Sequence, residues 1–225
     1  MTTIGVFRLG MIACACTALG ACGTSSSGGA GGPGGGGGGG GTPAQAMAAF
    51  DAAMDEGPKM GPTTINPKGK ANYAGKTKIN TINENQTGFS GFVIGDLEME
   101  ADFDQDTLSG TATNFKGQID DKDVTLDGTL DTANITGNEP NMVVTSDPIE
   151  VAGQKIHTTS LLGALEGKLK NSLTDETADV QLILQGTAFG ANADRFQGGA
   201  AAIIGNKDEV GFAFGGSGEF YLDRQ

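Results

Sequence analysis

The stretch GDLEMEADFDQDTLSGTATNFKG, from Gly95 to Gly117, decides the fold. From Asp96 to Asp104 every second residue is apolar and each residue between is acidic; the apolar ones are Leu97, Met99, Ala101 and Phe103. At the helical step of about 100° these side chains would scatter around the axis, whereas a strand places them on one face. Turn formers follow, and a second strand begins at Leu108. The stretch predicts a half-buried antiparallel hairpin.

The same alternation recurs along the chain and predicts eight principal strands. They cover residues 72–79, 91–104, 108–117, 123–132, 163–173, 177–189, 208–215 and 218–223. Breakers across 136–160 predict a long excursion with a minor hairpin, and the Gly/Ala-rich stretch 190–207 predicts a loop with one short helical turn. Because the strands are short and their connections suit antiparallel neighbours, we expect an all-β domain, an eight-stranded antiparallel up-and-down β-barrel.

A repeated glycine supports closure of the sheet. The pattern Leu-x-Gly-x-Leu/Ala places Gly110, Gly128, Gly167 and Gly186 on the same parity as the core-facing leucines. A glycine-rich chain places some glycines in strands by chance, and glycine weakens a flat strand. Where a sheet rolls into a narrow barrel, however, a side chain at these positions would collide with the opposite wall. The small inward side chains also predict a barrel filled by its own residues.

Residues 1–21 predict a lipoprotein signal peptide. The apolar run Leu9–Leu19 would span about 16 Å as a helix, roughly half of a bilayer core. It ends in Leu19-Gly20-Ala21-Cys22, which resembles the lipobox of bacterial lipoproteins. This resemblance implies cleavage before Cys22 and acylation of its thiol and new amino group. The following residue, Gly23 rather than Asp, implies the outer membrane as the destination.

Two further cysteines lie inside the leader. A cut before Cys14 is the competing site, but only Cys22 has Leu three positions upstream and a small residue directly before it. An ordinary secreted protein with chance cysteines is the alternative. Because no cysteine follows Cys22, the exported domain must rely on packing and hydrogen bonds rather than on disulfides.

The next two segments connect the anchor to the barrel. Residues 22–41 include eight consecutive glycines, Gly34–Gly41, and predict a disordered lipidated tether with a span of about 25 Å. Residues 42–70 predict a short helix and a connector, because Thr42, Pro43 and Gln45 form a capping box with Pro at the first helical position. The helix would plug the barrel or rest on it, and residues 71–225 would form the β-barrel domain.

Composition and motifs exclude several functions. The formal charge of −13 disfavours binding to nucleic acid. The single histidine, His157, cannot form a transition-metal cluster or a triad of the usual kind without partners, and no recognisable catalytic motif is present, so we expect no enzyme. Asp102, Asp104 and Asp106 begin like a calcium loop, but Thr occupies its sixth and twelfth positions, so no metal or cofactor is expected.

The chain resembles the β-barrel domain of transferrin-binding-protein-B-type surface lipoproteins. The resemblance rests on the sequences of three stretches: Ala71-Asn72-Tyr73-Ala74-Gly75, Leu97–Phe115 and Asp208–Phe220. It departs at 195–199, where RFQGG stands in place of a Phe-Tyr-Gly-Pro-like turn. The resemblance implies an outer-membrane lipoprotein of a Gram-negative bacterium, often surface-exposed, that binds a protein or a haem- or iron-related ligand. Binding of transferrin itself is not implied, because a single barrel lacks the paired lobes and handle domains of the transferrin-binding protein.

The expected function is therefore a non-catalytic binding module anchored in the membrane through lipid on Cys22. Its contacts would lie on the loops 80–90, 136–160 and 190–207, since barrels commonly place recognition there. A lipocalin-like carrier holding a small apolar ligand inside the barrel, or a structural coat lipoprotein, remains the alternative. The ligand-binding residues are not predicted by the sequence.

Overall fold

Alternating inward and outward side chains build a closed barrel in the computed structural model, which describes residues 42–82, 89–135, 141–205 and 212–225. The strands of these ranges are β1 (Lys70–Ile82), β2 (Phe89–Asp102), β3 (Thr107–Ile119), β4 (Lys122–Asp131), β5 (Met142–Thr145), β6 (Ile149–Val151), β7 (Gln154–Ile156), β8 (Thr159–Asn171), β9 (Thr177–Phe189), β10 (Arg195–Gly205) and β11 (Phe212–Arg224). Neighbours follow the order β4-β3-β2-β1-β11-β10-β9-β8, and β4 pairs antiparallel with β8. The predicted eight-stranded up-and-down barrel is confirmed.

The hairpin that decides the fold forms as predicted. Leu97, Met99, Ala101 and Phe103 are all buried in the interior. In the turn, Asp102 Oδ1 accepts the backbone N–H groups of Asp104 and Gln105 at 3.1 Å each. This carboxylate therefore stabilises the turn between β2 and β3, which is a structural role for the first acidic residue of the calcium-like pattern.

The predicted strands near the C-terminus were wrong. Residues 195–205 form β10 rather than a loop, and the chain from Phe212 to Arg224 is one strand rather than two. On the inner face of β10 the buried apolar residues are Phe196 and Ala200, with Gly198 between them and a partly buried Ala202 after them, so the alternation is weak. The pairing of β10 with β11 shifts register between Ala202 and Ile203, and this irregularity lets β11 continue through its glycines. Residues 206–211 lie outside the described residues.

Large side chains occupy the barrel interior. A contiguous cluster joins residues from all eight barrel strands. Its largest fully buried members are Tyr73, Leu97, Leu130, Val143, Leu161, Leu165, Leu182, Leu184, Phe196, Phe220 and Leu222. The rings of Tyr73 and Phe196 pack edge to face, with centroids 5.2 Å apart. These residues supply the packing on which a domain without disulfides depends.

The repeated glycines are required by close approach, but the obstacle differs from the expected one. A Cβ on Gly110, Gly128 or Gly167 would overlap a backbone carbonyl oxygen of the adjacent strand, not a residue of the opposite wall. Only at Gly186 would it also meet a ring from two strands away, at 2.8 Å from Phe220 Cζ. Gly128 and Gly167 both lie on the β4–β8 pair that closes the barrel. Strong coiling of a narrow sheet therefore explains the repeat.

A buried tyrosine links the interior to the loop after β9. The Tyr73 hydroxyl donates a hydrogen bond of 2.8 Å to the carbonyl oxygen of Ala193. Burial raises the pKa of Tyr73 to about 12, because the interior disfavours the charged phenolate. Ala193 is itself fully buried, so this hydroxyl satisfies a carbonyl that water does not reach.

The helix α1 (Pro43–Met54) rests on the outer wall of the barrel. Of the two positions that the sequence predicted, resting on the barrel is therefore correct and plugging it is wrong. The helix begins with the predicted capping box between Thr42 and Gln45. Its fully buried Phe50 packs in a cluster separate from the interior, together with Phe92 and Ile94 of β2. Their outward position follows from alternation, since Val93 between them belongs to the interior cluster.

A buried arginine holds the C-terminal end of α1. Arg195 makes two hydrogen bonds to the carboxylate of Asp223, at 2.6 and 2.8 Å, and donates to the carbonyl oxygen of Ala53. Gln197 Nε2 donates to the carbonyl oxygen of Met54 at 2.9 Å. A guanidinium beside the last carbonyls also complements the helix dipole. The outer face of β10 thus fixes the helix on the wall.

Candidate functional site

The two ends of the barrel differ in construction. One end, here called the groove end, consists of the connector 61–69, the turn 103–106, the segments 132–135 and 141–158, and the loop 190–194. Backbone hydrogen bonds join these pieces: His157 N–H donates to Thr63 O at 2.8 Å and Gly190 N–H to Gly61 O at 2.9 Å. The other end, here called the turn end, carries the turns 120–121 and 172–176 of β3–β4 and β8–β9.

A groove of about 410 Å³ opens at the groove end, between the connector, the end of β7 and the end of β9. Its lining residues are Pro58, Gly61, Pro62, Thr63, Ile156, His157, Thr158, Thr187, Ala188 and Phe189. Apart from the histidine, none of them carries an ionisable side chain, although the chain has a formal charge of −13. The volume lies in the range of small-ligand sites, and the lining is suited to a neutral, mainly apolar group.

The local sequence explains how the connector reaches the groove. Residues Gly57–Met60 form a 3₁₀ helix that ends at Gly61, whose φ of +73° is a conformation that favours glycine. Pro62 then starts an extended segment, and Thr63 forms an isolated antiparallel bridge with His157. On its far side the N–H groups of Thr64 and Ile65 both donate to Ala191 O, at 2.9 and 2.7 Å. The connector is thereby fixed between two loops.

Two polar side chains stand out in the lining. Thr63 is 1% exposed, and its Oγ1 has no hydrogen-bond partner among the residues that the structure describes. A buried hydroxyl without a partner costs about 1–3 kcal/mol. His157 is half-buried, and its Nδ1 lies 3.3 Å from the carbonyl oxygen of Ser146. When Nδ1 carries the proton and donates to that carbonyl, Nε2 is left as an acceptor.

Exposed apolar side chains concentrate beside the groove. Of the large hydrophobic residues that are exposed in the described ranges, four belong to the groove end, namely Ile65, Val144, Ile149 and Val151, and Met60 directly precedes its connector. Ile149 and Val151 lie in β6, which pairs with β7 in a two-stranded hairpin, a sheet separate from the barrel sheet. Ile149 is the cross-strand partner of Ile156, which lines the groove. The apolar face of the hairpin and the groove are therefore continuous.

The described parts of the loops predicted to carry recognition do not lie together. The segment 136–160 supplies the minor hairpin, as expected, and His157, although 136–140 lie outside the described residues. Within the predicted loop 80–90, residues 83–88 are not described, and β1 and β2 flank them at the turn end. The stretch 190–207 contributes its first residues to the groove end, but the rest is β10. Cys22 lies outside the described residues.

The structure adds site residues that the sequence analysis missed. Thr63 comes from the connector, where only the neighbouring prolines hinted at a fixed conformation. Phe189 is the last residue of β9, and alternation alone gave it no function. Within the described ranges no group of three His, Cys, Asp or Glu side chains is placed to hold a metal ion. No helix in those ranges has the length and hydropathy that a membrane crossing requires.

Comparisons of the chain with family models, with curated proteins and with solved structures give no match. The likeness to transferrin-binding-protein-B-type lipoproteins therefore rests on the sequence motifs quoted above.

Proposed function

We propose that this protein is a non-catalytic lipoprotein, held at the outer membrane of a Gram-negative bacterium by lipid on Cys22, whose barrel binds a protein partner at the groove end. The lipobox-like sequence before Cys22 and the glycine-rich tether support the anchor. The strongly acidic composition keeps a tethered domain soluble and argues against nucleic acid as a partner. Tether and lipid would bring the barrel to the surface, where a partner meets it.

One observation carries the binding function: apolar side chains are exposed on the hairpin that continues into the groove. Ile149 is 58% exposed and Val151 is 48% exposed, on strands of only three residues each. A two-stranded hairpin of this size is marginal in water unless its apolar face packs against another surface. Exposed apolar clusters with polar surroundings commonly mark protein contacts. A bound partner would cover this face.

The charges on the hairpin argue for a partner other than a second copy of this chain. Glu150 is the central residue of β6 and Lys155 is the central residue of β7, and the two face each other across the hairpin. If two copies paired antiparallel through β6 in full register, Glu150 of one copy would lie opposite Glu150 of the other. Pairing through β7 would place the two Lys155 side chains opposite each other in the same way. Like charges directly opposite each other destabilise a sheet.

Three alternatives remain as proposals of lower rank. A haem-related ligand is favoured by the half-buried His157 in an apolar lining. A lipocalin-like carrier would need space inside the barrel, where leucine and phenylalanine side chains of one cluster are packed. A structural coat lipoprotein would need no binding face, and the exposed apolar hairpin argues against it.

The test is photo-crosslinking on cells from two matched positions. A benzoylphenylalanine in place of Ile149 probes the groove end, and the same residue in place of Leu173, which is 43% exposed, probes the turn end. We expect a discrete protein adduct from position 149 and none from position 173. Adding Val151→Ser should weaken the adduct severalfold, because it removes a neighbouring apolar contact. Equal adducts from both positions, or none from position 149, would refute binding at this end.

A further inference from the structure

We infer that the groove receives a tyrosine side chain of the partner, an inference that rests on the proposed binding of a protein at the groove end. The walls suit a flat ring. Pro58 and Pro62 contribute two pyrrolidine rings, and Ile156 and Phe189 contribute branched and aromatic surface. Aromatic side chains are the commonest anchors of protein interfaces and bind in apolar pockets of this kind.

The lining also disfavours charged anchors. Apart from the imidazole of His157, none of the groove residues has an ionisable group that could pair with an inserted Lys, Arg, Asp or Glu. An inserted ammonium or guanidinium would lose its hydration without gaining a counter-ion. The mainly apolar lining therefore favours a neutral occupant, and it favours aromatic and aliphatic side chains over small polar ones.

Thr63 selects among these neutral side chains. Its backbone carbonyl accepts the N–H of His157, whereas its hydroxyl has no hydrogen-bond partner in the described part of the chain. Thr63 forms an isolated antiparallel bridge with His157, so the two side chains lie on the same side of that bridge, next to the groove that both residues line. A polar atom on the ligand would satisfy the hydroxyl, whereas an all-carbon side chain would not.

His157 supplies the complementary acceptor. With Nδ1–H donating to Ser146 O, Nε2 accepts a hydrogen bond. A phenol is both donor and acceptor, so it can donate to His157 Nε2 while it accepts from the Thr63 hydroxyl. Phenylalanine offers neither bond, and the indole of tryptophan offers only a donor. Tyrosine is the natural side chain that combines a flat apolar ring with this polar tip.

The experiment compares p-cresol with toluene, two probes that differ only in the hydroxyl. Each is titrated, with NMR detection of backbone amides, into the processed chain carrying Cys22→Ser, which keeps the barrel domain and omits the lipid. We expect saturable shifts at Thr63 and His157 with both probes, and a five- to tenfold tighter binding of p-cresol.

Three variants test whether the preference for p-cresol over toluene comes from the Thr63 hydroxyl. Thr63→Val keeps the volume and should reduce the preference for p-cresol to twofold or less, whereas Thr63→Ser should retain it. Thr187→Val, at an exposed lining residue, should leave it unchanged. Equal affinity of the two probes, no saturable shift, or an unchanged preference in Thr63→Val would overturn the inference.

Haemin is the third probe. If haemin displaces p-cresol and its binding is lost in His157→Ala, the groove is a haem site and the tyrosine inference fails. A position-149 crosslink without p-cresol binding would likewise refute the inference while leaving the proposed protein partner standing. Preferential binding of p-cresol without a position-149 crosslink would support the inference as a property of the groove and would refute the proposed function.

Discussion

Replacing Gly128 with alanine is expected to lower the free energy of unfolding by about 3 kcal/mol. Gly128 has a φ of +144°, a backbone conformation that side chains strongly disfavour, and a Cβ there would overlap the carbonyl oxygen of Lys168. It pairs with Leu169 on the β4–β8 seam that closes the barrel. The new methyl group must therefore shift one of the two strands that complete the closed sheet.

Gly199→Ala is the matched control for this substitution. Gly199 lies in β10, and a Cβ at this position would meet no atom within 4 Å. The added methyl lowers the conformational entropy of the unfolded chain. The free energy of unfolding of Gly199→Ala should therefore be unchanged or higher by up to about 1 kcal/mol. Urea unfolding followed by circular dichroism measures both variants. Equal stabilities would contradict the role assigned to close approach at the seam.

Raising the pH from 9 to 11 is expected to remove about 1.4 kcal/mol of the stability that Tyr73 contributes. The unfolded chain loses the phenol proton near pH 10, whereas burial raises the pKa of Tyr73 to about 12 in the folded protein. Between these values the unfolded state binds fewer protons than the folded state. The free energy of the unfolded state therefore falls relative to that of the native state as the pH rises. The full contribution of Tyr73 to stability is present only below pH 10.

Tyr73→Phe isolates this contribution. At neutral pH the variant should be about 1–2 kcal/mol less stable, because the buried Ala193 carbonyl loses its donor. Its deficit should then shrink as the pH rises to 11. In Tyr221→Phe, where Tyr73 is the remaining tyrosine, tyrosinate absorbance of the folded protein should titrate near pH 12. A deficit that stays constant between pH 8 and 11 would contradict this linkage.

The fold could be predicted where alternation is strong. In β2 the acidic residues between Leu97, Met99 and Phe103 leave one economical arrangement, and the structure has it. In β10 the inner face carries Gly198 between Phe196 and Ala200, so hydrophobic periodicity is faint and a loop was predicted instead. The neighbouring strands β9 and β11 supply the pairing that makes it a strand, and this is a long-range effect that no local pattern reports.

The candidate site was less predictable than the fold. His157 and the minor hairpin were visible as an interrupted apolar segment, but the groove needs residues from three separate parts of the chain. Thr63 has no distinguishing sequence signal; its significance comes from burial without a hydrogen-bond partner among the described residues. The glycine repeat predicted close approach correctly, yet only coordinates identify the adjacent carbonyls as the obstacle.

The account depends on the barrel being held outside the cell with its groove end accessible, and the labelling of one cysteine tests this most directly. In the proposed mature protein the thiol of Cys22 is acylated and no other cysteine remains, so Gln154→Cys on the exposed strand β7 provides a unique free thiol. A membrane-impermeant maleimide should label it on intact cells to the same extent as after outer-membrane permeabilisation. Labelling that requires permeabilisation would contradict the account.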